Sequence, residues 1–177
     1  RNLRGIDDSS LSDMILQSAW SLAEKYKVDI KHAENVSHLA VTLFDALSSE
    51  HSLGQRHRLM LQSAAILHEV GTYISGRAFH KHAYYIISHS EVFGLNQSQL
   101  ELVAQIARYH RRSRPKQSHL EYIKLSRPDR IIVSKLGSIL RVADALDTSR
   151  TQQIKDFKCS FDQDCLNIEV ETGSDMT

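Results

Sequence analysis

The chain has 177 residues, 24% of them charged and 41% hydrophobic, with a formal net charge of +1. That length supports one domain around a single core, and so small a net charge excludes a global field that would pull the chain onto nucleic acid or a membrane. No apolar run reaches the ~20 residues of a spanning helix, and no leader peptide is visible.

Taken in chain order, most of the sequence reads as helix. Ser12 is placed to cap a first helix whose apolar residues, from Ile15 to Tyr26, recur at helical spacing. Asp29 is placed to cap a second, with Ala33, Val36, Leu39, Ala40, Leu43, Phe44 and Leu47 on one face. The polar stretch from Ser48 to Gly54 breaks it. A third helix is expected from about Arg56 to Glu69, with Gly71 as its stop. A fourth follows Gly76 and includes Ala83, Ile86 and Ile87. Ser98 is placed to cap a fifth, which runs to Tyr109. A polar loop containing Pro115 leads to the last long helix, where Pro128 stands early enough to cost no hydrogen bond. After Arg150 the period changes from helical to two. Phe157, Cys159 and Phe161 alternate with polar residues, as do Leu166, Ile168 and Val170, around a turn at 162–164. That pattern predicts a β-hairpin, which must pack on something because an isolated hairpin is marginal in water. The expected organisation is therefore mainly α. A helical domain spans residues 1–150, and a hairpin lies within 151–177, packed on it. The start at Arg1 rather than a methionine, and the stop at Thr177, lead us to expect a piece of a longer protein. Cys159 and Cys165 are too few for a disulfide framework and lack zinc spacing. They read as free thiols in a reducing cytoplasm, with a single disulfide as the other option.

Ten histidines are many for this length. His32 opens the second helix, His68-Glu69 ends the third, His82 is in the fourth and His110 ends the fifth. Asp144 lies deep in the apolar run LRVADAL of the last helix. A carboxylate there must be solvated, paired or metal-bound, because an unpaired buried charge is very costly. Two imidazoles and two carboxylates (His32, His68, Glu69 and Asp144) make a first shell suited to a divalent ion such as Mg, Mn, Fe or Zn. The plainer alternative is that each histidine is a helix cap or surface residue and that Asp144 pairs with Arg141 on its own helix. The pair is not part of an HExxH metalloprotease motif, since the fourth residue after His68 is Thr72.

The order H…HE…H…D, with AAILHEVG (64–71), ARYHRR (107–112) and ILRVADALDTSR (139–150), resembles the HD phosphohydrolase superfamily. More narrowly, it resembles the C-terminal helical domain of the bacterial exopolyphosphatase/guanosine-pentaphosphatase (Ppx/GppA) family. The resemblance runs from about Leu3 to about Val170. It implies an HD-like helical bundle. In full-length members, two actin-like domains carry the phosphoanhydride hydrolase chemistry, with Mg as the usual cation; the helical domain contributes to dimer formation and to the path of long polyphosphate. Matched position by position, His32 takes the place of the superfamily's first histidine, His68 that of the histidine of HD, and Asp144 that of the final aspartate. Glu69 departs from the pattern, standing where the superfamily has Asp. His82 and His110 match optional histidines that bind a second metal or contact phosphate. No catalytic residue is assigned within this segment.

Between Arg108 and Lys135, nine basic residues face only Glu121 and Asp129. Aromatics are few there, so base stacking explains the stretch poorly and polyanion binding fits better. Lys81, His82, His110, Arg111 and Arg112 are the expected contacts to polyphosphate or nucleotide phosphates, with no sequence-specific nucleic acid as partner. The first reading is thus a cytoplasmic accessory domain of a phosphoanhydride hydrolase that binds polyphosphate and supports a homodimer. The second is an independent metal-dependent phosphohydrolase acting on a nucleotide or a guanosine tetraphosphate-like substrate. The third is a structural or signalling module without a phosphate ligand.

Overall fold

The computed structural model describes residues 8–111 and 113–170. The helices are α1 (Asp8–Lys25), α2 (Ile30–Ala46), α3 (Ser48–His51), α4 (Gln55–Leu67), α5 (Phe79–Ser88), α6 (Gln97–Arg108), α7 (Leu120–Ile123) and α8 (Arg127–Leu146). A 3-10 turn covers Val70–Tyr73, and the strands are β1 (Phe157–Asp162) and β2 (Cys165–Val170). The mainly α class read from the sequence is what the chain adopts, with two antiparallel strands at its end.

The core is one cluster to which α1, α2, α4, α5, α6 and α8 all contribute fully buried side chains. Helix α2 packs on α4 and α8, α1 on α4, and α6 on α4, α5 and α8. Apolar residues at helical spacing drive this arrangement. In α2, Ala33, Val36, Leu39, Ala40 and Leu43 are all fully buried, while Lys31, Glu34 and His38 on the other face are exposed.

Side-chain caps start α2, α6 and α8, and three sequence readings are corrected. Asp29 does cap α2, accepting from the backbone N–H of His32 at 3.2 Å. Helix α1 begins a turn earlier than Ser12, whose hydroxyl donates to the carbonyl of Asp8 inside the helix. Helix α6 is capped by Asn96 rather than Ser98. Asn96 accepts from Gln99 N, and the Gln99 side chain accepts from Asn96 N, closing a reciprocal box that Ser98 cannot form. Gly71 does not end α4 by a left-handed turn. It lies in the 3-10 segment, where an added Cβ would sit 1.9 Å from the carbonyl oxygen of Phe79. Its role is close approach to α5, which brings the end of α4 against that helix.

The hairpin turn is Gln163-Asp164, with φ of 43° and 68°. Two successive positive φ values make a type I′ turn, the form whose twist matches paired strands. The register runs from Phe157 opposite Val170 to Asp162 opposite Cys165. Phe157, Cys159, Leu166 and Ile168 are partly buried against the helical core, and β1 contacts α2. Upstream, Asn35 on α2 donates to the carbonyl of Ile154 at 3.1 Å, tying the connecting segment down. Cys159 and Cys165 are both free thiols. No helix among the described residues is long and apolar enough to cross a membrane.

Candidate metal centre

Four elements bring the candidate ligands together. His32 is in the first turn of α2, His68 caps the end of α4, Glu69 opens the 3-10 turn and Asp144 lies in the last turn of α8. One ligand atom from each of the four falls within 4.8 Å of the others. His32, His68 and Glu69 are buried, while the Asp144 side chain is 25% exposed.

The two imidazoles are held in the same sense. His32 Nδ1 donates to Asp147 Oδ2 at 2.8 Å, and His68 Nδ1 donates to the carbonyl of Ala65 at 2.6 Å. Each Nδ1 therefore carries the proton, which leaves Nε2 as the lone-pair nitrogen in a neutral ring. Both Nε2 atoms then converge on a single oxygen, Asp144 Oδ1, at 3.1 Å and 3.3 Å. Lone pairs aimed at a carboxylate oxygen repel unless a positive group sits between them. A second proton on His32 settles one contact; a divalent cation would settle both. Metal–ligand bonds of about 2.0–2.2 Å place neighbouring ligand atoms roughly 3.0–3.5 Å apart, the separation of these two contacts, while Glu69 Oε1 lies farther off, 4.0 Å from His32 Nε2.

The electrostatics follow from these contacts. Burial works against a charged His32, but its hydrogen bonds to Asp144 and Asp147 outweigh that and hold its pKa above the ordinary value. Burial likewise opposes ionised Asp144, and the hydrogen bonds with His32 and His68 pull its pKa far below the usual carboxylate range. Asp144 does not pair with Arg141, whose Nη2 is turned to the carbonyl of Tyr109 at 3.0 Å. Glu69 has a different partner. Arg150 meets it with both terminal nitrogens, at 2.9 Å and 2.5 Å. Despite burial, that fork keeps the Glu69 pKa low. Asp29 lies 3.6 Å from the same guanidinium.

Two of these residues carry no role in the sequence reading, Asp147 and Arg150, while Asp29 enters it only as the cap of α2. Asp147 is 1% exposed and also accepts from Gln152 N at 2.9 Å. Left-handed backbone at Arg150 and Gln152 folds the loop after α8 back so that both side chains reach the centre. A signal for Asp147 exists in ADALD: residues three apart share a helix face, so Asp144 and Asp147 must point the same way. Nothing in spacing could have found Arg150, which depends on the loop.

The expected phosphate contacts divide. His110 is 1% exposed, with its ring 4.8 Å from that of His68 and 5.7 Å from that of Phe79. Its Nδ1 donates to the carbonyl of Ala107, and its buried Nε2 finds no partner among the described residues. Burial, followed by the neighbouring His68, pushes its pKa down to about 3. His110 therefore belongs spatially with the buried histidines. Lys81 and Arg111 are exposed, and Arg111 stacks on the Phe79 ring at 4.3 Å. His82 is half-buried on α5. Burial and then Lys81, Arg108, Arg111 and His82 depress the pKa of His80, which marks a local concentration of positive charge. Arg112 falls outside the described residues. The basic stretch is not one continuous row. Arg108 pairs with Glu121 at 3.5 Å, and Lys135 donates to the carbonyl of His51 at 3.0 Å.

A sequence model of the Ppx/GppA phosphatase family, domain III, matches residues 16–176. The chain belongs to the Ppx/GppA family. It is 32% identical over 159 residues to a protein of Aeromonas hydrophila named guanosine-5'-triphosphate,3'-diphosphate pyrophosphatase, covering 89% of this chain and 32% of that one. Proteins of the same name from Pseudoalteromonas translucida and Pseudoalteromonas atlantica are 26% and 28% identical, over 90% and 93% of this chain. The chain thus spans about a third of the length of these relatives. Domain III of this family, in this chain, is the helical bundle that assembles the centre.

Proposed function

We propose that this chain is the helical domain of a Ppx/GppA-type phosphoanhydride hydrolase, an HD-like bundle that holds a divalent metal beside a basic face for phosphate chains. The observation that carries it is the convergence of His32 Nε2 and His68 Nε2 on Asp144 Oδ1, with both Nδ1 atoms already committed. When bound, a divalent ion supplies Lewis-acid charge toward a phosphoryl oxygen. His32, His68 and Asp144 would hold it. Asp147 fixes the orientation of His32, and Glu69 is engaged by Arg150. Lys81 and Arg111, with His82 beside them, would receive phosphate oxygens on the outer face of α5 and the end of α6. The substrate class is a linear phosphoanhydride, polyphosphate or guanosine pentaphosphate, handled in the cytoplasm by a homodimer of the parent protein.

Polyphosphate titrated against the chain tests this reading. Binding should raise the melting temperature at low salt, fade as salt rises, and be lost when Lys81 and Arg111 are both replaced by alanine. A polyphosphate response unchanged by those replacements contradicts it. The second reading, an independent hydrolase, is favoured by the partial exposure of Asp144 and opposed by the Arg150 clamp on Glu69. Release of phosphate by the isolated chain with metal, lost in His68→Ala, would support it.

A further inference from the structure

A separate pocket lies between the end of α6, the following loop and α8, with a volume of about 400 Å³. None of His32, His68, Glu69 or Asp144 lines it. Its floor is one face of α8, where Ser134, Gly137 and Ser138 fall at helical spacing and leave a surface stripped of bulk. Arg141, one turn further on, and Arg114 from the loop form its cationic side.

Arg141 is the unusual feature. It is half-buried, yet no carboxylate among the described residues lies within ion-pair distance of it or of Arg114. Its Nη2 is tethered to the carbonyls of Tyr109 and Ser113, at 3.0 Å and 3.5 Å. Its Nε is buried without an acceptor. Without a counter-ion, the part-buried Arg141 guanidinium carries a desolvation cost that an anion in the pocket would offset. A second wall is apolar. It is built from Pro115 and the ring of Tyr122, whose hydroxyl donates to the carbonyl of Arg130 at 3.3 Å.

We propose that this pocket binds a small phosphomonoester. The phosphate sits between Arg141 and Arg114, where guanidinium forks suit its oxygens. The organic group lies against Tyr122 and Pro115. The volume falls in the range of small-molecule sites, about 300–1,000 Å³. A bare phosphate chain would leave the apolar wall unused, so the site selects a phosphorylated organic molecule over inorganic phosphate or polyphosphate.

Calorimetric titration of the chain with phenyl phosphate tests this, with inorganic phosphate and benzyl alcohol as the comparison probes. Phenyl phosphate should bind more tightly than inorganic phosphate, and benzyl alcohol should not bind. Arg141→Gln should weaken phenyl phosphate by at least tenfold, about the 1.4 kcal/mol of one charge-assisted contact. Ser138→Phe should abolish binding by filling the floor while leaving the Arg141 tethers intact, so it decides the matter if Arg141→Gln destabilises the fold. His68→Ala should leave binding unchanged, which separates this pocket from the metal centre. Absence of phenyl phosphate binding, affinity equal to that of inorganic phosphate, or binding insensitive to Ser138→Phe would each overturn the proposal.

Discussion

His32 and Asp147 meet through Nδ1 and Oδ2 at 2.8 Å across 115 residues of sequence, both with side chains 1% exposed. This bond joins the start of α2 to the end of α8 and decides which nitrogen of His32 faces Asp144. A carboxylate behind a ligating imidazole fixes its tautomer and raises its basicity. Asp147→Asn should therefore lower divalent-metal affinity by about 10–100-fold. It should also destabilise the metal-free chain by roughly 1–3 kcal/mol, because His32 Nδ1 loses its charged acceptor. Chelator-competition titration and urea unfolding read the two effects separately. Unchanged metal affinity would remove Asp147 from the centre.

Arg150 competes with any metal for Glu69. Its fork occupies both carboxylate oxygens, although the guanidinium side chain is itself 44% exposed. Arg150→Gln should lower the stability of the metal-free chain, since a buried carboxylate loses its partner. The same change should raise divalent-metal affinity by about tenfold, a step of about 1.4 kcal/mol, by freeing a fourth ligand. The two effects have opposite signs, so a general loss of structure cannot mimic the result. Metal affinity that falls along with stability would show that Glu69 needs Arg150 to be positioned.

Acid should destabilise the metal-free chain through His110. Its folded pKa, about 3, lies below the ordinary 6.5. Between those values the unfolded chain binds a proton that the folded chain does not, so stability rises with pH there. The contribution is complete above pH 6.5 and is lost as pH falls toward 3, at up to about 1.4 kcal/mol per pH unit. His32 works the other way. Its raised pKa adds stability that is complete below pH 6.5 and is lost as pH rises through the folded value. With metal removed by chelator, His110→Asn should flatten the acid limb of a stability–pH curve and leave the alkaline side unchanged. A parallel shift of the whole curve would contradict the assignment.

Gly71 is predicted to be intolerant of any side chain. A Cβ there would meet backbone atoms of Phe79 and Ala83 at 1.9 Å and 2.5 Å, and neither can yield as a flexible side chain could. Gly71→Ala should cost about 1–3 kcal/mol or more. Gly76→Ala, where nothing lies within 4 Å, should be nearly neutral. Melting temperatures of the two variants check the contrast, and equal values would refute it.

The helices and the hairpin are legible in the sequence, the caps and loop contacts much less so. The helices were legible because their apolar residues recur at helical spacing and end at strong breaks. The hairpin was legible because alternation resumes on both sides of 162–164. The gathering of His32, His68, Glu69 and Asp144 was legible only through the order of motifs, since those positions are far apart in the chain. Caps were harder to read. Ser98 and Asn96 are both good N-cap residues, and only the returning side chain of Gln99 separates them. Arg150 could not be read at all, because a left-handed backbone in a loop sets its direction. His110 reads from the sequence as a helix-end histidine and a phosphate contact, but it is enclosed by His68 and Phe79, a tertiary contact that no local pattern encodes.

The central claim is that two imidazoles share one carboxylate oxygen because the centre is built for a divalent ion. Elemental analysis of the purified chain after incubation with Mg, Mn, Fe or Zn and exhaustive dialysis tests it most directly, with His68→Ala and Asp144→Asn alongside. The account predicts close to one equivalent of a divalent metal per chain, lost in both variants. No retained metal under any of these conditions, or equal retention in His68→Ala, would contradict it.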